Sequence, residues 1–279
     1  MIKSKNSQQT ENRQDLSSTQ SILLTLFGLF LFDSKEREYL QTRWIVAALS
    51  HTGLSENAIR TTLNRMVKRN LLLRRQSGRI SLFSLSKEGQ KLLSHGHERI
   101  YSEAPFSEKD KKWTLLNVSS TLAKNIRYQF EVRLQLGGFA AIDSRLWIAP
   151  GNVDVIALIH DLIPHGLFDS LYIFQAEPTQ NLKTDQLINK AWDIEQIRLM
   201  HHRFIKHWTG ASTTNKCTLT NIIQLVNDWT NLLCCDPGLP GAQIDAQWPA
   251  KHSEIIFKQL YQSWRHKAEE EFNLIERTI

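Results

Sequence analysis

Residues 55–85 read SENAIRTTLNRMVKRNLLLRRQSGRISLFSL, and this stretch decides the fold of the N-terminal part of the chain. Ser55 is a good helix N-cap, and Leu54 before it is placed to pack on Ile59 as a hydrophobic staple. Apolar side chains then recur at helical spacing and predict one buried stripe: Ile59, Leu63, Met66 and Val67. The sequence therefore predicts a helix over residues 55–70.

The flanking sequence extends this helix into a larger pattern. Residues 71–75 and 80–85 predict two short strands that are joined by a tight Ser-Gly turn. Upstream, residues 21–32 and 42–50 predict two more helices, and Gly53 suits the turn that leads into the helix at residues 55–70. Ser86 is placed to cap a further helix. The order predicts a winged helix-turn-helix domain over residues 21–104.

Positive charge is concentrated in this domain. Between residues 60 and 79 there is no Asp or Glu, and seven basic residues occur: Arg60, Arg65, Lys68, Arg69, Arg74, Arg75 and Arg79. Subtracting these seven charges from the formal net charge of +6 leaves −1 for the remainder of the chain. Such a local concentration is typical of an electrostatic footprint on a polyanion.

The predicted helix carries its polar side chains opposite the buried stripe, as a helix that reads the major groove does. The candidate DNA-binding residues are Arg60, Thr61, Asn64, Arg65 and Lys68 on the helix and Arg74, Arg75 and Arg79 on the hairpin. The competing interpretations are a small helical domain with a solvated basic face and an adaptor that binds RNA or acidic protein.

The rest of the chain predicts two further domains. Strand-like runs at residues 113–119, 146–149 and 171–175 alternate with helical patterns at 122–136 and 153–162, and Gly137-Gly138 ends the first of these helices. This order predicts a ferredoxin-like α+β domain for dimerisation and sensing over residues 110–180. Amphipathic runs at 187–208, 219–233 and 254–275 predict a helical C-terminal domain over residues 181–279. The fold class is α+β multidomain.

Composition narrows the class of protein. Residues 1–20 are polar, predict a disordered arm and have no export-signal pattern, so we expect a cytoplasmic protein. The apolar run at residues 22–32 is too short to cross a membrane. The cysteines, Cys217, Cys234 and Cys235, lack a metal-binding spacing and are interpreted as reduced thiols.

Motifs for catalysis are missing from the sequence. No GxSxG, Walker loop, GxGxxG or HExxH occurs, and the acidic residues form no convincing catalytic pair. The nearest thing to a metal constellation is His201, His202 and His207, but the spacing of five between the last two does not place them on one helical face. We therefore expect no catalytic residues, no metal, no cofactor and no enzymatic activity.

With these elements in order, the chain resembles the PaaX-type regulators, bacterial repressors of phenylacetic acid catabolism genes. The resemblance is carried by SILLTLFG, AIRTTLNRMVKRNLL and GRISLFSLSKEG in the N-terminal part, by LGGFAAIDSRLWIAP in the centre, and by AWDIEQI and DPGLPGAQIDAQWP near the C-terminus. It implies a homodimeric repressor that binds an inverted-repeat, double-stranded DNA operator. It also implies release by an aryl-CoA effector, either phenylacetyl-CoA or another acyl-CoA.

Two residues are candidates for contacting such an effector. Trp147 near the end of its predicted strand is placed to meet an aromatic acyl group, and Arg133 on the preceding helix a phosphate. The competing interpretation is core packing for Trp147 and a surface role for Arg133.

The central domain also resembles the CRISPR-associated adaptation nucleases, which gives a metal-dependent nuclease as the alternative function. Those nucleases carry an aspartate at the end of the first strand, where this chain has Asn117, Ser119 and Ser120. Hard divalent cations favour carboxylate oxygen. The residues therefore favour a domain without nuclease activity.

Overall fold

A computed structural model describes the following residues of the chain: 19–32, 34, 37–106, 112–119, 124–160, 162, 170–177, 184–211, 218–239, 245 and 247–279. The predicted arm at residues 1–20 lies outside them, except that Thr19 and Gln20 open the first helix. Cys217 and Ser120 also lie outside the described residues.

The fold mixes helices with two small antiparallel sheets, which confirms the α+β class. The first half contains α1 (Thr19–Phe27), a π-helical turn (Gly28–Phe32), β1 (Leu40–Gln41), α2 (Thr42–Ala48), α3 (Glu56–Lys68), β2 (Leu72–Ser77), β3 (Ile80–Leu85), α4 (Lys87–Ile100), β4 (Trp113–Val118) and α5 (Lys124–Leu136). The second half contains β5 (Ala140–Ala141), β6 (Leu146–Pro150), α6 (Val155–Ile159), β7 (Leu171–Ala176), α7 (Thr184–Ala191), α8 (Ile194–Thr209), α9 (Thr218–Cys235) and α10 (Ala250–Thr278).

These elements belong to two compact units, each built from segments that are distant in sequence. Unit one consists of Met1–His97, Trp208–Asn231 and Ile255–Ile279. Unit two consists of Glu98–His207 and Leu232–Glu254. The C-terminal hundred residues therefore contribute to both units.

In unit one, the predicted first helix at residues 21–32 is interrupted. Helix α1 ends at Phe27, and the next five residues widen into a π-helical turn. The Arg265 guanidinium donates to the Leu29 carbonyl at 2.9 Å, and Arg37 donates to the Phe30 carbonyl at 3.5 Å. Arginine side chains thus help to satisfy carbonyls in the turn, a contribution from distant residues that local periodicity does not reveal.

The connection from α2 to α3 follows the predicted turn and cap. Gly53 has a φ of +81°, the left-handed conformation that favours glycine. The Ser55 hydroxyl accepts a hydrogen bond from the Ala58 amide at 3.2 Å, which caps α3. Cap and turn together fix where α3 begins.

The hairpin of β2 and β3 follows α3 directly. Its register pairs Ser77 with Ile80, which leaves a two-residue turn at Gly78 and Arg79. Gly78 has a φ of +59°, as the first turn residue of a tight hairpin requires. Strand β2 is longer than the predicted run at residues 71–75, and β1 pairs with β3 to complete a sheet of order β1-β3-β2.

The ends of α3 and α4 are joined at the base of this hairpin. Asn70 adopts a φ of +57°, and its amide and that of Leu71 donate to the carbonyls of Val67 and Met66, so that α3 ends in a Schellman motif. The Ser86 hydroxyl donates to the Asn70 carbonyl and accepts from the Gly89 amide, which confirms Ser86 as the cap of α4.

Gly89 sits directly against the backbone at this junction. A Cβ at position 89 would lie 2.1 Å from the Leu71 carbonyl oxygen, a distance that no side chain can tolerate. The same carbonyl accepts a hydrogen bond from the Ser86 amide at 3.1 Å. The close approach therefore requires glycine at position 89.

Unit two is built around the second sheet, of order β5-β6-β4-β7, in which each neighbouring pair is antiparallel. Side chains alternate between its two faces. One face is packed by Leu116, Val118, Phe130, Leu134, Phe139, Trp147, Ala149, Val155 and Ile159. The other is packed by Trp113, Ala140, Ile148, Ile188, Trp192, Ile194, Ile197 and Leu239.

The predicted helix at residues 187–208 is wrong in one respect, because the structure divides it. Helix α7 ends at Ala191, and α8 begins at Ile194. The Asp193 carboxylate accepts a hydrogen bond from the Gln196 amide at 3.0 Å and so begins a new helix at this point. Trp192 and Ile194 are both buried on either side of the break.

Candidate nucleic-acid interface

The eight side chains that the sequence predicts to face DNA are all exposed in unit one. They are Arg60, Thr61, Asn64, Arg65 and Lys68 on α3, and Arg74, Arg75 and Arg79 on the hairpin. We call these eight side chains the basic face. Exposure leaves them accessible to a partner outside the chain.

The opposite side of α3 is fixed in the core of unit one. Ile59, Leu63 and Met66 are at most 1% exposed, as predicted. Thr62, which the sequence interpretation left out, is also buried, whereas Val67 is only half-buried. The stripe therefore follows the spacing i, i+3, i+4, i+7, and this anchorage fixes which side chains of α3 point outward.

The hairpin arginines do not form a single surface. Arg74 is paired with Phe83, which is buried, whereas Arg75 is paired with Leu82 and its guanidinium lies 5.9 Å from the centre of the Tyr39 ring. Successive strand residues point to opposite faces of a sheet. Arg74 and Arg75 therefore project from opposite faces, and Arg79 lies in the turn.

Arg74 is the hairpin arginine that reaches α3. Its Nη1 donates to the Asn64 amide oxygen at 3.5 Å, and its Nη2 donates to the Ser81 hydroxyl at 2.9 Å. A cleft of about 90 Å³ lies at this point, lined by Thr42, Arg60, Leu63, Asn64, Arg74, Ser81 and Phe83. The sequence analysis did not predict Thr42 and Ser81 as part of this site. The Thr42 hydroxyl donates to the Ser81 carbonyl at 3.2 Å, and the two residues are 39 positions apart in the chain.

The charge of the basic face is moderated by one carboxylate. Glu56, the first residue of α3, lies 2.6 Å from Nη2 of Arg60, one helical turn away. The side chains of Arg60 and Glu56 are 52% and 56% exposed. Because the run of basic residues begins at Arg60, its charge pattern does not reveal the ion pair with Glu56.

The two candidate effector residues lie in the interior of unit two. Trp147 is 7% exposed and packs edge-to-face with Phe130, with ring centres 6.4 Å apart. Arg133 is also 7% exposed and donates to the Leu158 carbonyl at 3.3 Å. Both side chains are thus engaged within the protein, and their contact with an effector stays a prediction.

A polar cluster that the sequence did not reveal lies elsewhere in unit two. Nδ1 of His201 lies 2.9 Å from the Ser253 hydroxyl, and its Nε2 lies 2.9 Å from Oδ2 of Asp236. The same carboxylate accepts hydrogen bonds from the Trp248 indole and the Gly238 amide. We call the residues around this carboxylate, His201, Asp236, Trp248 and Ser253, the His201 network.

The His201 network has the residue types of a hydrolytic triad, but it is closed to a substrate. His201, Asp236 and Ser253 are each 0% exposed. A nucleophile needs access to the atom that it attacks. The network therefore holds the loop after α9 in place and does not perform catalysis in this conformation.

Burial also sets the chemistry of the cysteines near this loop. Burial, together with the neighbouring Cys235, raises the pKa of the Cys234 thiol to about 12. The Arg99 guanidinium donates to the Asp236 carbonyl, and burial lowers the pKa of Arg99. Cys234 and Cys235 are free thiols, as the sequence predicts, and a thiol with a pKa as high as that of Cys234 is a poor nucleophile at neutral pH.

The described residues contain neither a cluster of metal ligands nor a membrane-spanning helix. Across those residues, no three His, Cys, Asp or Glu side chains converge as metal ligands would. No helix in the described part of the chain has the length and apolarity needed to span a bilayer.

The fold and the basic face together define a candidate nucleic-acid-binding protein of the α+β class. Among solved structures, the chain is similar to the uncharacterized protein Rv0674 from Mycobacterium tuberculosis, with a TM-score of 0.53, 17% identity, and coverage of 92% of this chain and 99% of that one. Identity this low shows a common fold and carries nothing about function.

The particular family follows from sequence. The family described as PaaX-like protein matches residues 18–89, and the PaaX-like protein C-terminal domain matches residues 192–273. The chain is also 26% identical over 270 residues to the transcriptional repressor PaaX of Escherichia coli (strain K12), which covers 91% of this chain and 83% of that protein. This chain belongs to the PaaX-like family, as its motifs predict.

Proposed function

We propose that this protein is a transcriptional repressor that binds a double-stranded DNA operator as a homodimer and is released by an acyl-CoA effector. The observation that carries the proposal is the basic face. Its cations and its Asn64 amide are exposed on α3 and the hairpin, while the opposite side of α3 is buried in the core of unit one. The similarity to a transcriptional repressor over most of the chain supports the sign of the regulation.

In this proposal α3 is the recognition helix of a winged helix-turn-helix and enters the major groove. Asn64 and Arg65 lie on its exposed side, where an amide recognises adenine and a guanidinium recognises guanine. Arg60 and Lys68 lie on the same side and neutralise phosphates. The burial of Ile59, Leu63 and Met66 opposite them supports this orientation.

In this proposal the hairpin of β2 and β3 is the wing of the winged helix-turn-helix. Arg74 donates to the Ser81 hydroxyl at 2.9 Å, so its guanidinium is held beside Asn64 of the recognition helix before DNA binds. Arg79 occupies the tip. A side chain held near its bound position loses less conformational entropy on binding, which favours affinity.

The dimer and the effector complete the proposal. Two copies would place α3 in successive major grooves, about one helical turn or a multiple of it apart. An effector releases the operator only if it prefers the conformation that does not bind DNA. We propose an aryl-CoA such as phenylacetyl-CoA, or another acyl-CoA, in keeping with the family resemblance.

The test is DNA binding as a function of salt for the whole chain. Duplexes that the protein selects from fragmented genomic DNA of its own source are titrated with wild type and with an Arg74→Gln, Arg75→Gln, Arg79→Gln triple variant. Each lost phosphate contact reduces the slope of log K against log salt by about 0.9. A triple variant of exposed cations in unit two, Lys190→Gln, Arg203→Gln and Lys206→Gln, is the charge-matched control.

We expect the hairpin variant to lower the slope by about two and the control to leave it unchanged. A slope that the hairpin variant does not change would refute the wing. Failure of wild type to select any duplex would refute the repressor. Adding phenylacetyl-CoA and a panel of acyl-CoAs to the bound complex tests release, and cleavage of DNA with Mg²⁺ or Mn²⁺ would instead indicate the nuclease.

A further inference from the structure

The exposed side of α3 carries a single carboxylate in a surface otherwise made of cations and neutral groups. Within α3, Glu56 is the only acidic residue, and it stands at the first helical position. A carboxylate on a surface that approaches phosphates raises the electrostatic energy of binding to any DNA. Its position on this surface therefore calls for a compensating interaction.

The geometry of the Glu56 carboxylate leaves one oxygen for a partner. Nε and Nη2 of Arg60 both approach the same oxygen, Oε1, at 2.7 and 2.6 Å. Oε2 makes no hydrogen bond within the described part of the chain. The ion pair thus holds the side chain along α3 and leaves an acceptor on a side chain that is 56% exposed.

A carboxylate can only accept hydrogen bonds, so it discriminates among base edges. In the major groove guanine presents only acceptors and thymine an acceptor and a methyl group, whereas cytosine and adenine each present an exocyclic amino group. Oε2 would repel the acceptor of guanine or thymine and accept a hydrogen bond from the amino group.

We infer that Glu56, oriented by Arg60, is a specificity-determining residue that selects a base with an exocyclic amino group, cytosine or adenine, at one position of each half-site. The inference rests on the proposed function, because it requires α3 to enter the major groove. The purely structural alternative is that Glu56 only stabilises the start of α3 through the helix dipole and the ion pair with Arg60.

The experiment compares base preference in wild type, Glu56→Gln and a matched control, Glu88→Gln. Glu88 lies in the first turn of α4, is paired with Lys91 and is 41% exposed, so its variant makes the same change in charge at an equivalent helix position. Each whole-chain protein selects from a random duplex library, and its best site is then titrated with all four bases at every position.

For wild type and Glu88→Gln we expect one position per half-site at which cytosine or adenine is preferred over guanine and thymine by about tenfold. In Glu56→Gln the glutamine amide both donates and accepts. The preference at that position should therefore fall to about twofold or less, and binding to random duplex DNA should tighten. Preferences at the other positions should not change.

Either of two results would overturn the inference. A Glu56→Gln protein with an unchanged base preference, or one that weakens at all sites in equal proportion, assigns Glu56 a structural role alone. Failure of wild type to bind any duplex is a different result, since it removes the proposed function itself. Thermal melting of each variant checks that loss of folded protein does not mimic these effects.

Discussion

The basic face and the His201 network are both rich in polar side chains, yet those side chains differ in exposure and in hydrogen bonding. On the basic face the cations and amides are exposed, and Arg74 and Asn64 meet at 3.5 Å, the outer limit of a hydrogen bond. In the His201 network the imidazole, carboxylate and hydroxyl are fully buried and bonded at 2.9 Å. The side chains of the basic face therefore remain available to a partner, whereas those of the His201 network stabilise the fold.

The largest effect should come from breaking the buried arrangement. His201→Ala removes the two buried hydrogen bonds to Asp236 and Ser253 and leaves a cavity beside them, so we expect the free energy of unfolding to fall by about 2–4 kcal/mol. His202→Ala, at the exposed neighbouring position, should change it by less than about 0.5 kcal/mol. Urea unfolding followed by tryptophan fluorescence measures both. Equal effects of the two variants would contradict the role given to the network.

A smaller effect should separate two adjacent arginines of the basic face. Arg74 lies on the hairpin face that contacts Asn64, and Arg75 projects from the opposite face near Tyr39. We therefore expect Arg74→Gln to weaken operator binding about tenfold and Arg75→Gln about twofold. Fluorescence anisotropy at one salt concentration gives both values. A greater loss from Arg75→Gln would show that DNA meets the other face of the hairpin.

The smallest effect concerns Cys234, whose pKa is raised to about 12 by burial. In a Cys217→Ser, Cys235→Ser background, iodoacetamide should label native Cys234 at about pH 8 at least about tenfold more slowly than the same thiol in urea, because the thiolate is scarce. Since folding raises this pKa, the thiol contributes stability at neutral pH that is lost only as pH rises from about 9 towards 12. Rapid labelling of the native protein would contradict the raised pKa of this half-buried thiol.

The sequence predicts the helix and the hairpin that carry the basic face well, because the determinants of these elements are local. The Ser55 cap, the left-handed Gly53 and the stripe from Ile59 to Met66 act within about a dozen residues, where periodicity and capping rules apply. The alternation that separates Arg74 from Arg75 was also available from strand geometry. The run of basic residues does not reveal Glu56, because this carboxylate stands four residues before the run begins at Arg60.

The His201 network could not be predicted in the same way. His201 is 35 residues from Asp236 and 52 from Ser253, and the residue pattern of a single helix does not indicate partners so far away in sequence. On helical spacing alone His201 is one of several polar histidines. The π-helical turn after α1 is similar, because its carbonyls meet arginines that stand elsewhere in the chain. Contacts between distant segments determine both features.

The junction at Ser86 and Gly89 has a consequence for which positions tolerate substitution. One hydroxyl closes the end of α3 and the start of α4, and the bare Cα of Gly89 lies against the Leu71 carbonyl. The joint between the two helices therefore depends on residues 70, 71, 86 and 89 together, and a side chain added at position 89 would disturb both helices at once. The exposed positions of α3 carry no such packing constraint, whereas position 89 accepts glycine alone.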